Sequence, residues 1–154
     1  MKKKRVAFVV NSLYGGGAER VLQVILNNID RRKYDITLVN HRDEEIINEY
    51  YPADIQYKSI LKCARKKNIR RVWAKIYNKI NLIIYDNLSP RIFRALYLRD
   101  KFDVEIAFIE GYATRIVSGG RSNKKIAWVH TDMKQNPWAD IAFRSQKEQA
   151  RCYS

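Results

Sequence analysis

Cysteine is scarce in this chain of 154 residues: there are two, Cys63 and Cys152. They stand far apart and form no Cys-x-x-Cys pair, which leaves neither a disulfide framework nor a zinc site. A reducing, cytoplasmic compartment is the simpler expectation. Long apolar runs are also missing. No stretch of about 18 uncharged apolar residues occurs, so no spanning helix is expected. The opening MKKKRVAFVVN has the basic-then-apolar order of a signal peptide. Its apolar run is too short for an h-region, however, and ends in Asn with no small-residue cleavage site nearby. It reads as a first strand behind a solvated basic end. No internal repeat or low-complexity linker appears. No cluster of His, Asp or Cys suggests a metal, and no cofactor is implied. Acids are few: 16 Asp and Glu against 30 Lys and Arg, a net charge of +14.

Two nucleotide motifs are absent as well. There is no G-x-x-x-x-G-K-[ST], so the chain is not a P-loop protein. There is no G-x-G-x-x-G either, and the second apolar segment ends LVNHR, without the acid that would hold a nicotinamide ribose. A dinucleotide dehydrogenase is disfavoured.

What is present fits one domain, residues 1–154, with a core of its own. Val6 to Val10 is a continuous apolar run suited to a strand buried on both faces. Ala18 to Ile29 reads as a helix with Val21, Leu22, Val24, Ile25 and Ile29 along one side. Tyr34 to Val39 is a second strand, Asp43 to Tyr50 a short helix stopped near Pro52, and Asp54 to Tyr57 a short third strand. Ser89 and Pro90 supply an N-cap and a first helical position for a helix running to about Arg99. Val104 to Ile109 is a strand, followed by Gly111 and a helix to about Ser118. Ile126 to His130 is another strand, with Trp128 expected in the core. Thr131 to Pro137 reads as a loop, with helix from Trp138 onward. Strands alternating with helices predict an α/β fold: a Rossmann-like, doubly wound, mainly parallel sheet with helices on both faces.

Gly15, Gly16 and Gly17 fall between the first strand and the first helix, at the sheet edge where open parallel sheets bind ligands. Glycine permits close backbone approach, and a helix N-terminus offers free N–H groups and partial positive charge. A phosphate seat and a plain strand-to-helix turn both fit this pattern. Glu19, in the first turn of that helix, reads as an acid complementing the helix dipole.

The segment GGGAERVL, with a strand before it and YDITLV after it, resembles the amino-terminal domain of family 4 glycosyltransferases. These are retaining enzymes with two facing Rossmann-like domains, the GT-B fold. DVEIAFIEGYATRIVSG and KKIAWVHTDM resemble further stretches of the same family, particularly its bacterial surface-polysaccharide members. The similarity covers nearly the whole chain in the expected order. It implies that Gly15, Gly16 and Gly17 lie against the diphosphate or sugar of a nucleotide-sugar donor. It implies that His130 stands near the donor sugar and a glycan or lipid-linked acceptor, as the catalytic candidate. Glu110, Tyr112 and Thr114 are acceptor-side candidates, as is Asp132, which also suits a turn cap. Family members carry a second domain that binds the nucleotide sugar, and none follows Ser154 in this sequence. The expectation is a half-site, inactive alone, so that enzyme status is open.

The charge is concentrated. From Lys58 to Lys101 thirteen basic residues face two acids, a net of +11 in one segment. Ile69, Val72, Trp73, Ile76, Tyr77, Ile80, Ile83 and Ile84 recur there at helical spacing. Three readings follow: a core-facing helix with a solvated basic back, docking to an anionic membrane, or nucleic-acid binding. For the membrane, Lys62, Arg65, Lys66, Lys67, Arg70, Arg71, Lys75 and Lys79 would meet anionic lipid, with Trp73 among the interfacial anchors. Nucleic acid ranks last, because the aromatics lie within the apolar stripe rather than among the basic residues. The rival to an enzyme is thus a non-catalytic module on anionic membranes. Peripheral attachment at the inner face of the cell membrane agrees with the family's lipid-linked acceptors.

Overall fold

The computed structural model describes residues 2–13, 16–42, 51–61, 72–73, 76–77, 79–80, 83–84 and 87–130. The predicted helix over 43–50, the segment 62–71 and everything from Thr131 onward lie outside the described residues. So do Gly15, Lys75 and Asp132.

Five strands form one sheet: β1 (Lys4–Val10), β2 (Tyr34–Arg42), β3 (Gln56–Leu61), β4 (Val104–Ala107) and β5 (Lys124–Ala127). The order is β3-β2-β1-β4-β5 and every pairing is parallel. Three helices have defined bounds: α1 (Gly17–Asn28), α2 (Pro90–Tyr97) and α3 (Tyr112–Ser118). The predicted Rossmann-like, doubly wound architecture is what the chain adopts.

Alternation along β1 separates two cores. Val6, Phe8 and Val10 point to one face, where they meet Ile36 and Leu38 of β2 and Leu22 and Leu26 of α1. Ala7 and Val9 point to the other, where Phe93 of α2 and Ala113, Ile116 and Val117 of α3 close over them. A strand buried on both faces has no polar side to show, which is why Val6–Val10 is an unbroken apolar run. Leu22 and Leu26 are wholly inaccessible, and burying each contributes about 1.5–3 kcal/mol.

The inward stripe of α1 differs from the expected one. Leu22, Ile25, Leu26 and Ile29 pack on the sheet, whereas Val21 and Val24 are exposed. At 100° per residue the one-sided set is 22, 25, 26 and 29; position 21 falls on its flank and position 24 on the opposite face. In α2 the reading holds: Ser89 is the N-cap, its Oγ accepting from the Ile92 N–H at 3.5 Å, and Pro90 occupies the first turn. Two strand boundaries move. The third strand is Gln56–Leu61 rather than 54–57, because its register starts opposite Thr37 of β2. The last strand is Lys124–Ala127 rather than 126–130. Its pairing with Val104–Ala107 brings the two lysines into the ladder and ends as β4 ends.

Val72, Trp73, Ile76, Tyr77, Lys79, Ile80, Ile83, Ile84 and Asn87 have helical backbone, as the periodicity predicts. The core-facing reading of that stripe does not hold for most of it. Ile84 packs against the core, but Val72, Trp73, Ile76, Tyr77, Ile80 and Ile83 are exposed, Trp73 at 67%.

Candidate functional site

In a parallel sheet of this order, the crossover leaving β1 runs one way, to β2, and the crossover leaving β3 passes back over β1 to β4 on its other side. The carboxyl ends of β1 and β4 therefore flank the crevice where such folds place ligands. Asn11 stands at the end of β1. Its Nδ2 donates to the Glu110 carbonyl at 2.7 Å, and its Oδ1 accepts from the Ala113 N–H at 2.8 Å. The second bond completes a helix start. Gly111 is the N-cap of α3 and has no side chain to satisfy the first-turn amides, so Asn11 does so from across the crevice. Gly111 itself has φ +96°, a region that favours glycine and lets the chain turn sharply from β4 into α3.

This turn sets the directions of its neighbours. The Glu110 carboxylate accepts from the His130 backbone N–H at 3.2 Å, joining the end of β4 to the segment after β5. The His130 ring lies 4.9 Å from Phe108 and is stacked on Trp128 at 5.6 Å and 6°. Trp128 is not a core residue: it is 42% exposed. Its backbone N–H still donates to the Ala107 carbonyl at 2.8 Å, and its ring leans on Phe108 at 4.9 Å. It lies just beyond an edge strand that is exposed along its length, so it is shielded on one side alone. Tyr112 is half-buried and stacks on His41 at 4.4 Å and 11°. The Thr114 hydroxyl donates to the Ile109 carbonyl at 3.4 Å and so helps to fasten the start of α3.

The glycine loop borders the same crevice at the start of α1. Gly16 is its N-cap with φ −80° and ψ 178°, a conformation open to any residue. What distinguishes Gly16 is its neighbour. The Glu19 side chain, 9% exposed, folds back so that its carboxylate occupies the space a Gly16 Cβ would take. Gly17 has open space in the same position. Glu19 thus places negative charge over the amino end of α1, where a helix favours it.

Gly16, Gly17, Glu110, Tyr112, Thr114 and His130 therefore share the carboxyl-terminal rim of the sheet, with Glu110 and His130 in direct contact. Asn11 and His41 belong to the same rim and were not singled out by the sequence reading. Their one signal was position: each is a polar residue closing a buried apolar strand. Among the described residues no group of three or more His, Cys, Asp or Glu could hold a metal ion.

No protein-family profile matches the chain, and no curated protein matches it. Among solved structures, it is similar to the lipopolysaccharide outer core galactosyltransferase WaaB in its apo form. The identity is 14% and the TM-score 0.45, over 90% of this chain and 37% of that one. At that level the likeness carries no functional weight; this chain spans little more than a third of WaaB's length.

Proposed function

We propose that this chain is the acceptor-side domain of a retaining glycosyltransferase, moving a sugar from a nucleotide-sugar donor to a glycan or lipid-linked acceptor. The observation that carries the reading is the Glu110–His130 contact beside the Asn11-tied crevice, at the rim where Gly16 and Gly17 also lie. Transfer with retention needs the acceptor hydroxyl and the leaving group held on the same face of the sugar. In this reading His130 stands at the donor sugar, and Glu110 accepts hydrogen bonds from acceptor hydroxyls. Tyr112 walls the acceptor side.

Glu19 refines the role of the glycines. A carboxylate over Gly16 repels phosphate oxygens and accepts hydrogen bonds from hydroxyls. The loop therefore suits the sugar of the donor better than its diphosphate. The diphosphate falls to a second domain, without which the chain does not turn over. Reconstitution tests this. The chain is mixed with a separately produced nucleotide-sugar-binding domain, supplied with UDP-, GDP- and ADP-sugars, and the anomeric configuration of the product is read by NMR. Transfer with retention that needs both domains, and that His130→Ala abolishes, is expected. Transfer by the chain alone overturns its dependence on a second domain. Full activity in His130→Ala overturns the site.

A second reading, attachment to an anionic membrane at its cytoplasmic leaflet, is favoured by the exposed stripe. Trp73 and Tyr77 are amphipathic rings of the kind that seat at a lipid interface, and Lys79 is exposed among them. It is compatible with the enzyme or stands alone as a non-catalytic role. Sedimentation with vesicles decides it: equal binding to neutral and anionic vesicles, or none to either, removes it.

A further inference from the structure

Glu19 stands in the first turn of α1, 9% exposed, and its carboxylate forms no hydrogen bond or ion pair among the described residues. An acid three residues past an N-cap ordinarily reaches back to the backbone N–H of that cap, closing a capping box. Glu19 does not make that bond. Its Oε2 lies instead in the space that a Cβ on Gly16 would fill. A nearly buried carboxylate that neither caps its helix nor pairs with a cation has no structural task at this position.

The helix supplies groups of the opposite kind. The N–H groups of its first turn have no acceptor within the helix, and the N-cap glycine brings no side chain to meet them. The ladder begins with the Arg20 N–H, which donates to the Gly16 carbonyl at 3.2 Å. A Cβ on Gly17 would meet nothing within 4 Å, so space is open beside these amides. The usual guest of a helix start is an anion. Glu19 already sets a full negative charge there against about half a positive one.

Backbone donors and a carboxylate that only accepts thus stand side by side. A phosphate offers acceptors alone, and the carboxylate repels it. An ammonium offers donors alone, and the positive end of the helix opposes it. A hydroxyl answers both: its oxygen accepts from an N–H while its proton goes to the carboxylate. We infer that Glu19 is a specificity-determining residue, one that takes a hydroxyl of an uncharged sugar ring and turns away sugars bearing a carboxylate or phosphate. Sites that hydrogen-bond a substrate hydroxyl discriminate strongly, because the wrong ligand leaves their own polar groups unpaired. That the sugar is the donor's rests on the transferase reading; the chemistry at Glu19 does not.

Backbone-amide NMR titration of the 154-residue chain reads the site directly. The probes are methyl α-glucoside and methyl α-galactoside, each beside its uronate, and inorganic phosphate. The Gly17 and Ala18 amides should shift with at least one neutral glycoside, which binds about tenfold or more tightly than its uronate or phosphate. Glu19→Gln keeps the shape without the charge and should erase that preference. Glu19→Ala should leave an ordinary anion seat, taking phosphate more tightly than the parent chain does. Gly16→Ala is a second route: its backbone angles suit any residue, and the new Cβ pushes the carboxylate aside while leaving the charge in the chain. It should weaken the neutral glycoside as Glu19→Ala does, with circular dichroism showing that α1 is kept. No shift with either neutral glycoside, phosphate binding to the parent at least as tight, or full preference retained in Glu19→Gln overturns the assignment. None of these measurements involves transfer, a second domain or His130. Failure here therefore leaves the transferase reading standing, and failure of that reading leaves binding at Glu19 to be seen all the same.

Discussion

Asn11 caps a helix it does not belong to: its Oδ1 accepts from the backbone N–H of Ala113, 102 positions later in the chain. The same side chain holds the Glu110 carbonyl through Nδ2. One residue thus ties the end of β1 to the end of β4 and to the first turn of α3. Asn11→Ala removes both bonds and strands two backbone groups in a part-buried corner. A loss of about 1–3 kcal/mol is expected. Urea unfolding should show a lower midpoint at unchanged slope.

Arg94 and Glu105 form an ion pair that is almost wholly shielded from solvent. Arg94→Met alone leaves a buried carboxylate without its counter-ion, which costs about 3–5 kcal/mol. The double variant Arg94→Met/Glu105→Leu should lose less than either single change, since it removes both charges together. A double-mutant cycle in denaturant measures this, and simple additivity would mean the pair is not coupled.

Acid stability should carry a signature from Asp100. The hydrogen bond from Lys58 is the largest cause holding its carboxyl below the ordinary value of 3.8, against a smaller opposing effect of burial. A pKa depressed in the folded state stabilises above the unfolded value and stops doing so as pH falls through the folded one. The wild-type chain should therefore be more stable than Lys58→Met at neutral pH. The margin is under about 1 kcal/mol, because the pair is partly exposed and screened by solvent. It should vanish as pH drops below 3.8. A gap that is constant across that range would assign the effect of Lys58 to something other than this bond.

Exposure of the apolar stripe has its own consequence. Trp73→Ser should leave stability within about 0.5 kcal/mol, as for other surface positions. Leu26→Ala, in the core, should cost about 2–5 kcal/mol. Thermal unfolding of the two variants distinguishes them. If the stripe docks on lipid, Trp73→Ser also lowers sedimentation with anionic vesicles.

Much of this architecture can be read from local pattern. Val6–Val10 declares a doubly buried strand because a central parallel strand has no solvent side. Ser89-Pro90 declares a helix start because capping and a preset φ act within one turn. Where the reading went astray, the deciding partner is distant. Whether Trp128 is covered depends on what lies past the sheet edge, and its hydrophobicity does not report that. The stripe from Val72 to Ile83 has the period of a buried face, but periodicity specifies only that apolar groups share a side. Asn11 and His41 went unremarked because a polar residue closing a strand is ordinary until the fold shows which corner it reaches. The Arg94–Glu105 pair was equally hidden, being one cation of the basic segment and one acid of the next strand that only packing brings together.

The middle position of β1 has a cost in time. Its register joins Val6 to Ile36 on one flank and to Val104 on the other. On a ribosome the first flank is zipped early, while the second waits until most of the chain has emerged. Until then an apolar, hydrogen-bonding edge stands open to any passing strand. Sequence-distant parallel pairings of this kind close slowly. The nascent chain, more than the finished protein, is where aggregation and chaperone demand should be greatest.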